Sequence, residues 1–262
     1  MDMRIGVFDS GVGGLTVVRE IQKYVSHADI LYIADSGNLP YGTKSKEELT
    51  VYVDNILDSF EAQEVNLIIF ACNTATSLLL EDMRKSRETP MIGVIEAGAY
   101  LATRRAKKGI GVIATPNTIF SKAYEDAIHR KNESIDVYGI PCFELVNIIE
   151  KECTQESYSL YPIKQELSAV PLSRIDTLVL GCTHYPLVEK EIQQITGEEV
   201  QLINPALEVA KEVLYLSAHY EKGEGGLYIY TSGSIVQFQA KAEAILSQNC
   251  KVYKYIHKEK SF

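Results

Sequence analysis

Apolar residues along this chain gather into short, largely unbroken runs separated by longer stretches of helical spacing. Ten runs stand out: RIGVF (4–8), ILYIA (30–34), LIIFA (67–71), MIGVI (91–95), IGVIA (110–114), IDVYG (135–139), TLVLG (177–181), VQLI (200–203), LYIYT (227–231) and VYKYI (252–256). Most are continuous rather than strictly alternating, the pattern of strands covered on both faces. Between them the apolar period lengthens to three and four residues. Over residues 45–60, Leu49, Tyr52, Val53, Ile56, Leu57 and Phe60 form one stripe, and Ser45 with Glu48 supplies a capping box at its start. Strands alternating with helices predict an α/β fold with mainly parallel sheets.

The pattern also repeats. IGVFDS (5–10) is similar to IGVIAT (110–115), and LIIFACNTAT (67–76) is matched by LVLGCTHYPL (178–187), so that Cys72 and Cys182 end equivalent runs. The repeat points to two related domains, although any pair of parallel strands produces some likeness of this kind. The segments GVIEAG (93–98) and INPALE (203–208) are the expected crossings. They divide the chain into a first α/β domain at 1–96 plus 208–262 and a second at 97–207, with the C-terminal strands returning to the first.

Composition narrows the classes. With 262 residues, 46% hydrophobic and 23% charged, the chain can bury a sizeable core. A formal charge of −9 and the lack of a long Lys/Arg block argue against a nucleic-acid or anionic-membrane surface. Apolar runs stay well short of about 18 residues, so no membrane span is expected. The opening MDMRIGVFDSG lacks the layout of an export signal. The five cysteines (72, 142, 153, 182 and 250) are odd in number without paired spacing, and read as free thiols of a cytoplasmic protein.

Several loops carry candidate chemistry. FDSGVGGLTV places Asp9, Ser10 and three glycines between a strand and a helix, where backbone N–H groups can meet an anion. Thr16 stands where a dinucleotide fingerprint needs its third glycine, and no G-K-[ST] follows, so the alternatives are a site peculiar to this loop or a merely tight turn. ADSGNLPYGTKS (34–45) is a second strand-end loop, in which Tyr41 and Gly42 face the same choice. Cys72 and Cys182 are the sharpest signal. Either alone reads as a small buried hydrophobe. Each, however, follows an apolar strand and precedes groups able to cap a helix, Asn73 and Thr74 in one case and Thr183 in the other. A helix N-terminus stabilises thiolate, and His184 adds a proton partner near Cys182. No C-x-x-C or H-E-x-x-H spacing supports a metal site. Glu150, ending LVNIIE, is by itself an ordinary helix residue.

Two matched thiols exclude most cysteine chemistries. A nucleophilic enzyme has no use for the second one, and redox pairs usually sit close in sequence. Inverting a carbon stereocentre without a cofactor does need two bases, one on each face of the substrate, with one protonated when the other is not.

FDSGVGGLTV, LPYGTKS, ACNTAT, GVIEAG and LGCTHYPL, taken together and in this order, resemble glutamate racemase, a cofactor-independent group in the aspartate/glutamate racemase superfamily. The resemblance implies two α/β domains of similar topology, pseudo-twofold related, with the active site between them, no cofactor or metal, and a homodimer. It implies interconversion of L- and D-glutamate, with D-glutamate supplied to peptidoglycan. By motif, Cys72 is the base for D-glutamate and Cys182 the base for L-glutamate, with Asp9 assisting the first, His184 the second, and Glu150 a further acidic assistant. Asp9, Ser10, Tyr41, Gly42, Asn73, Thr74, Thr118, Thr183 and His184 are the implied substrate contacts. The rivals are a racemase of another acidic amino acid, chiefly aspartate, and a non-catalytic amino-acid-binding module.

Overall fold

The computed structural model describes residues 2–155, 157–221 and 223–257, and every apolar run overlaps a strand. The strands are β1 (Arg4–Asp9), β2 (Asp29–Ala34), β3 (Leu67–Phe70), β4 (Met91–Gly93), β5 (Gly109–Ala114), β6 (Asp136–Pro141), β7 (Thr177–Gly181), β8 (Gln201–Ile203), β9 (Leu227–Thr231) and β10 (Val252–Lys254). The helices are α1 (Leu15–Tyr24), α2 (Lys46–Glu61), α3 (Asn73–Ser86), α4 (Val94–Arg105), α5 (Pro116–Phe120), α6 (Ala123–His129), α7 (Leu145–Glu152), α8 (Leu160–Glu166), α9 (Glu189–Thr196), α10 (Ala206–Ser217) and α11 (Ile235–Leu246).

Two sheets result, ordered β10-β9-β2-β1-β3-β4 and β6-β5-β7-β8. Every strand pair in them is parallel. The order β2-β1-β3-β4 recurs as β6-β5-β7-β8, so the faint repeat in the sequence is a repeat of topology, and β9 and β10 extend only the first sheet. Cys72 and Cys182 follow β3 and β7, each the neighbour of its sheet's leading strand.

Burial explains why these runs are unbroken. Strands β3, β5 and β7 are buried along their whole length, and β1 along all but its first residue. Helices cover both faces of each sheet. In the first, Val18 and Ile21 of α1, Val209 and Val213 of α10 and Phe238 of α11 pack one face, while Leu49 and Phe60 of α2 and Leu79 of α3 pack the other. In the second, α7, α8 and α9 contribute Ile149, Ile163 and Ile192 on one side, and α4 and α6 contribute Ala99 and Ile128 on the other. Helix α2 begins as its sequence dictates: the Ser45 hydroxyl accepts from the Glu48 N–H at 3.2 Å, and the Glu48 carboxylate accepts from the Ser45 N–H at 3.0 Å. The chain passes from the six-stranded to the four-stranded half through α4 and returns through α10, and these two helices pack against each other. Among the described residues, no helix is long and apolar enough to cross a membrane.

Candidate active site

The carboxyl ends of the leading strands of both sheets converge, which is where open α/β sheets gather their polar groups. Asp9 ends β1, Cys72 lies two residues beyond β3, Thr115 directly follows β5, and Cys182 directly follows β7. All four are buried.

On one side stands Cys72, the N-cap of α3, with the Ala75 and Thr76 amides turned back toward it: the Thr76 N–H donates to the Cys72 carbonyl at 2.9 Å. Burial and the neighbouring Asp9 carboxylate drive its thiol well above the ordinary value, outweighing the Ala75 N–H and the Ser10 hydroxyl, and the Cys182 sulfur adds to the rise. Immediately behind Cys72, α3 is stitched to the other half. The Tyr124 hydroxyl donates to the Asn73 side-chain oxygen at 2.8 Å, and the hydroxyls of Thr74, Thr115 and Thr118 form a buried cluster at 2.9 to 3.4 Å. Gly42 abuts Thr115, where a side chain would leave no room. Tyr41 is buried, but its hydroxyl donates to Asp35 at 2.6 Å. What Tyr41 offers the thiols is therefore its ring and backbone. Asp35 also accepts from Ser232 at 2.7 Å and meets His257 Nε2 at 2.7 Å.

On the other side the Cys182 sulfur lies 3.7 Å from His184 Nδ1, and His184 Nε2 is 2.8 Å from Glu150 Oε1. The second carboxylate oxygen of Glu150 accepts from Lys241 Nζ at 2.5 Å. Burial alone raises the Glu150 carboxyl, but His184 and Lys241 together bring it down to about 2. Burial alone lowers the His184 imidazole, yet the Cys182 sulfur and Glu150 hold it well above its usual value. A protonated His184 is the counter-ion that a thiolate needs. The expectation of a capped α-helix behind Cys182 is corrected here. Residues Tyr185–Val188 form a 3-10 turn with Pro186 at its start, and the α-helix begins only at Glu189. Proline supplies no N–H to this turn, so an α-helix N-terminus backs Cys72 alone, and the His184–Glu150 pair takes its place at Cys182.

Asp9 joins the two sides. Its carboxylate accepts from the Gly11 N–H at 3.0 Å and from the Thr183 hydroxyl at 3.0 Å. Burial raises its carboxyl against the pull of His184 and these donors. The glycines after it serve close approach. A Cβ on Gly13 would lie 2.5 Å from His184 Nδ1 and 2.5 Å from the Thr183 hydroxyl, and one on Gly11 would lie 2.7 Å from Glu150 Oε1. Neither glycine has positive φ; what the loop needs is space.

Every candidate residue named from the sequence therefore lies at this junction, with the Tyr41 hydroxyl turned away into the Asp35 cluster. The sequence reading missed Thr115, Lys241, Asp35 and His257. The IGVIAT repeat held a signal for Thr115, the counterpart of Ser10; the others carry none. Cys142 and Cys153 are buried as structural thiols, Cys153 donating to the Glu150 carbonyl at 3.5 Å. Among the described residues, no three His, Cys, Asp or Glu side chains are grouped to hold a metal ion. A crevice bounded by Thr16, Asn73, Leu180, Cys182, Thr183 and Pro205 measures about 10 Å³. That is room for about one water, far below the roughly 300–1,000 Å³ of small-molecule pockets.

Comparison with known proteins matches residues 5–213 to the Asp/Glu/Hydantoin racemase model. The glutamate racemase of Lactococcus lactis subsp. lactis is 36% identical over 255 residues, covering 94% of this chain and 93% of that protein. Among solved structures, glutamate racemase isoform RacE1 from Bacillus anthracis aligns with a TM-score of 0.91 at 36% identity, covering 97% of each chain. The glutamate racemase of Francisella tularensis, solved in complex with D-glutamate, aligns at 0.87 and 33% identity, covering 97% of this chain and 98% of that one.

Proposed function

The chain belongs to the Asp/Glu/Hydantoin racemase family, and from that premise we propose that it is a cofactor-independent glutamate racemase using Cys72 and Cys182 as its two bases. One observation carries the reading: two thiols, each just beyond the corresponding strand of two sheets of the same order, are buried at one junction. In the direction from L-glutamate, the Cys182 thiolate takes the α-proton while the Cys72 thiol gives its proton to the opposite face. D-glutamate leaves, with Cys182 now the thiol and Cys72 the thiolate. The reverse reaction runs the same steps backwards.

The electrostatics support this starting state. Burial and Asp9 favour a protonated Cys72, and His184 with Glu150 provides a cation beside Cys182. Positioned proton transfer contributes about 10²–10⁴-fold, so the α-carbanion needs further stabilisation from the α3 N-terminus and from the Thr74, Thr115, Thr118 and Thr183 donors in a water-poor site. Ser10, Asn73 and Gly42 complete the contacts for the ammonium and carboxylates. We assign the first domain to 1–96 plus 208–262 and the second to 97–207, with substrate entering as they part. A homodimer in the cytoplasm, delivering D-glutamate to peptidoglycan, completes the proposal. The preference for glutamate over aspartate is supported by relatives that carry that name over nearly the whole chain.

The test is incubation with L-glutamate in heavy water without added cofactor. Optical rotation should fall to zero and deuterium should enter the α-position of the D-enantiomer. L-aspartate under the same conditions should exchange far more slowly. Binding of glutamate without α-exchange would refute the proposal in favour of a binding module.

A further inference from the structure

Lys241 belongs to none of the motifs at the thiols. It lies on α11, which packs on the six-stranded half, yet its ammonium reaches Glu150 on α7 of the four-stranded half at 2.5 Å. Glu150 is 12% exposed at its side chain and His184 2%, while Lys241, at 28%, stands at the solvent end. Lys241, Glu150, His184 and Cys182 thus form a single file from one half of the molecule to a thiol of the other, with links of 2.5, 2.8 and 3.7 Å. A second contact of Glu150 also comes from the six-stranded half, the Val12 N–H at 3.4 Å from Oε1.

Resting on the function proposed above, we propose that Lys241 is a positioning residue for the Cys182 half of the reaction: it pins Glu150 so that His184 faces the sulfur, and it does so only when the two halves are closed. The geometry supplies the reason. One carboxylate oxygen holds His184 and the other holds Lys241, so neither is free to swing, and the imidazole is fixed through its Nε2 with Nδ1 turned to Cys182. Without the ammonium, Oε2 would lose its hydrogen-bond partner in a nearly enclosed position, and the carboxylate would turn toward solvent. An exposed ion pair of this kind contributes little; this one acts through a buried imidazole. Because the lysine and the carboxylate come from different halves, parting them for substrate exchange also unpins the relay. Other ionisable groups around Glu150 are Tyr32, Cys153 and Tyr158, with Asp9 facing His184. None of them is placed to replace the lysine on Oε2.

Lys241→Met keeps the stem and removes the charge; Lys241→Arg keeps the charge. Two readouts are needed. In the substrate-free protein, the downfield proton resonance of His184 Nε2–H, identified by its loss in His184→Gln, should broaden in Lys241→Met and return in Lys241→Arg. In turnover, kcat of Lys241→Met should fall roughly tenfold, a fraction of the ~10²–10⁴-fold that a positioned acid–base group supplies. The primary isotope effect on α-deuterated L-glutamate, which Cys182 deprotonates, should rise, and that on α-deuterated D-glutamate should fall, because only the Cys182 step has slowed. An unchanged resonance in Lys241→Met overturns the inference, as does a rise in KM alone with both isotope effects fixed, or a loss that arginine does not restore. If the parent protein fails to racemise glutamate, the functional reading is at fault, and the resonance still decides the role of Lys241.

Discussion

Cys72 and Cys182 hold matching positions but are served by different physics. A helix N-terminus and a buried carboxylate surround the first, and an imidazole held by a carboxylate adjoins the second. Glu150 pays for this arrangement in pH sensitivity. Its folded value of about 2 lies below the ordinary 4.5, so its stabilising contribution is complete above pH 4.5 and disappears as pH falls through about 2. His184 runs the other way: its value is raised, so its contribution is complete below about 6.5 and is lost as pH rises through the higher folded value. Replacing Glu150 by Gln should therefore cost a few kcal/mol at pH 6. The gap in urea-unfolding free energy between parent and variant should close between pH 4.5 and 2. A gap independent of pH over that window would mean that the carboxylate is not held ionised by His184 and Lys241.

At the scale of elements, the β1–α1 loop shows a glycine-rich turn serving close packing between the halves. Gly11 and Gly13 let the loop lie against Glu150, His184 and Thr183 of the other half. Gly13→Ala should lower kcat/KM at least tenfold and cost about 1–3 kcal/mol, as overpacking does, measured by urea unfolding beside steady-state assays. Gly197 offers the contrast, with a φ of 82° and open space around it; alanine there should cost about 1 kcal/mol through backbone strain and leave turnover unchanged. Unaltered kinetics in Gly13→Ala would show that the loop can retreat from His184 without consequence. The elements themselves were largely legible in the sequence. Strands β1, β3, β5 and β7, buried on both faces, are continuous apolar runs and could be read as such. The partly exposed β6, β8, β9 and β10 could be read from shorter β-rich runs, and the Ser45–Glu48 box fixed the start of α2. The order of strands could not be read, because pairing in parallel sheets is settled by crossovers far apart in the chain. Lys241, Asp35 and His257 escaped for the same reason. Nothing local distinguishes a lysine on α11 from any solvated lysine until the fold brings α7 to it. The segment after Cys182 misled because Thr183 reads as a cap, whereas Pro186 sets a 3-10 turn.

The molecule as a whole joins two halves whose meeting surface carries the candidate site. Along that surface run the Asp9–Thr183, Asn73–Tyr124 and Thr74–Thr115 bonds, the Asn117 amide on the Lys44 carbonyl at 2.9 Å, and the Glu150–Lys241 pair. Cys72 is 5% and Cys182 8% exposed, and the adjoining crevice of about 10 Å³ cannot admit an amino acid. On the proposed function, substrate enters by parting the halves, and turnover cannot outrun that opening. Alkylation of Cys72 by iodoacetamide measures the same motion. As reagent concentration rises, the labelling rate followed by peptide mass should level off at the rate of opening. That plateau should lie at or above kcat, and D-glutamate, if it binds between the two halves as proposed, should slow labelling. A rate that climbs in proportion to reagent up to that of a free thiol would mean that Cys72 is open to solvent without any such motion. A plateau below kcat would mean that glutamate reaches the thiols by another route.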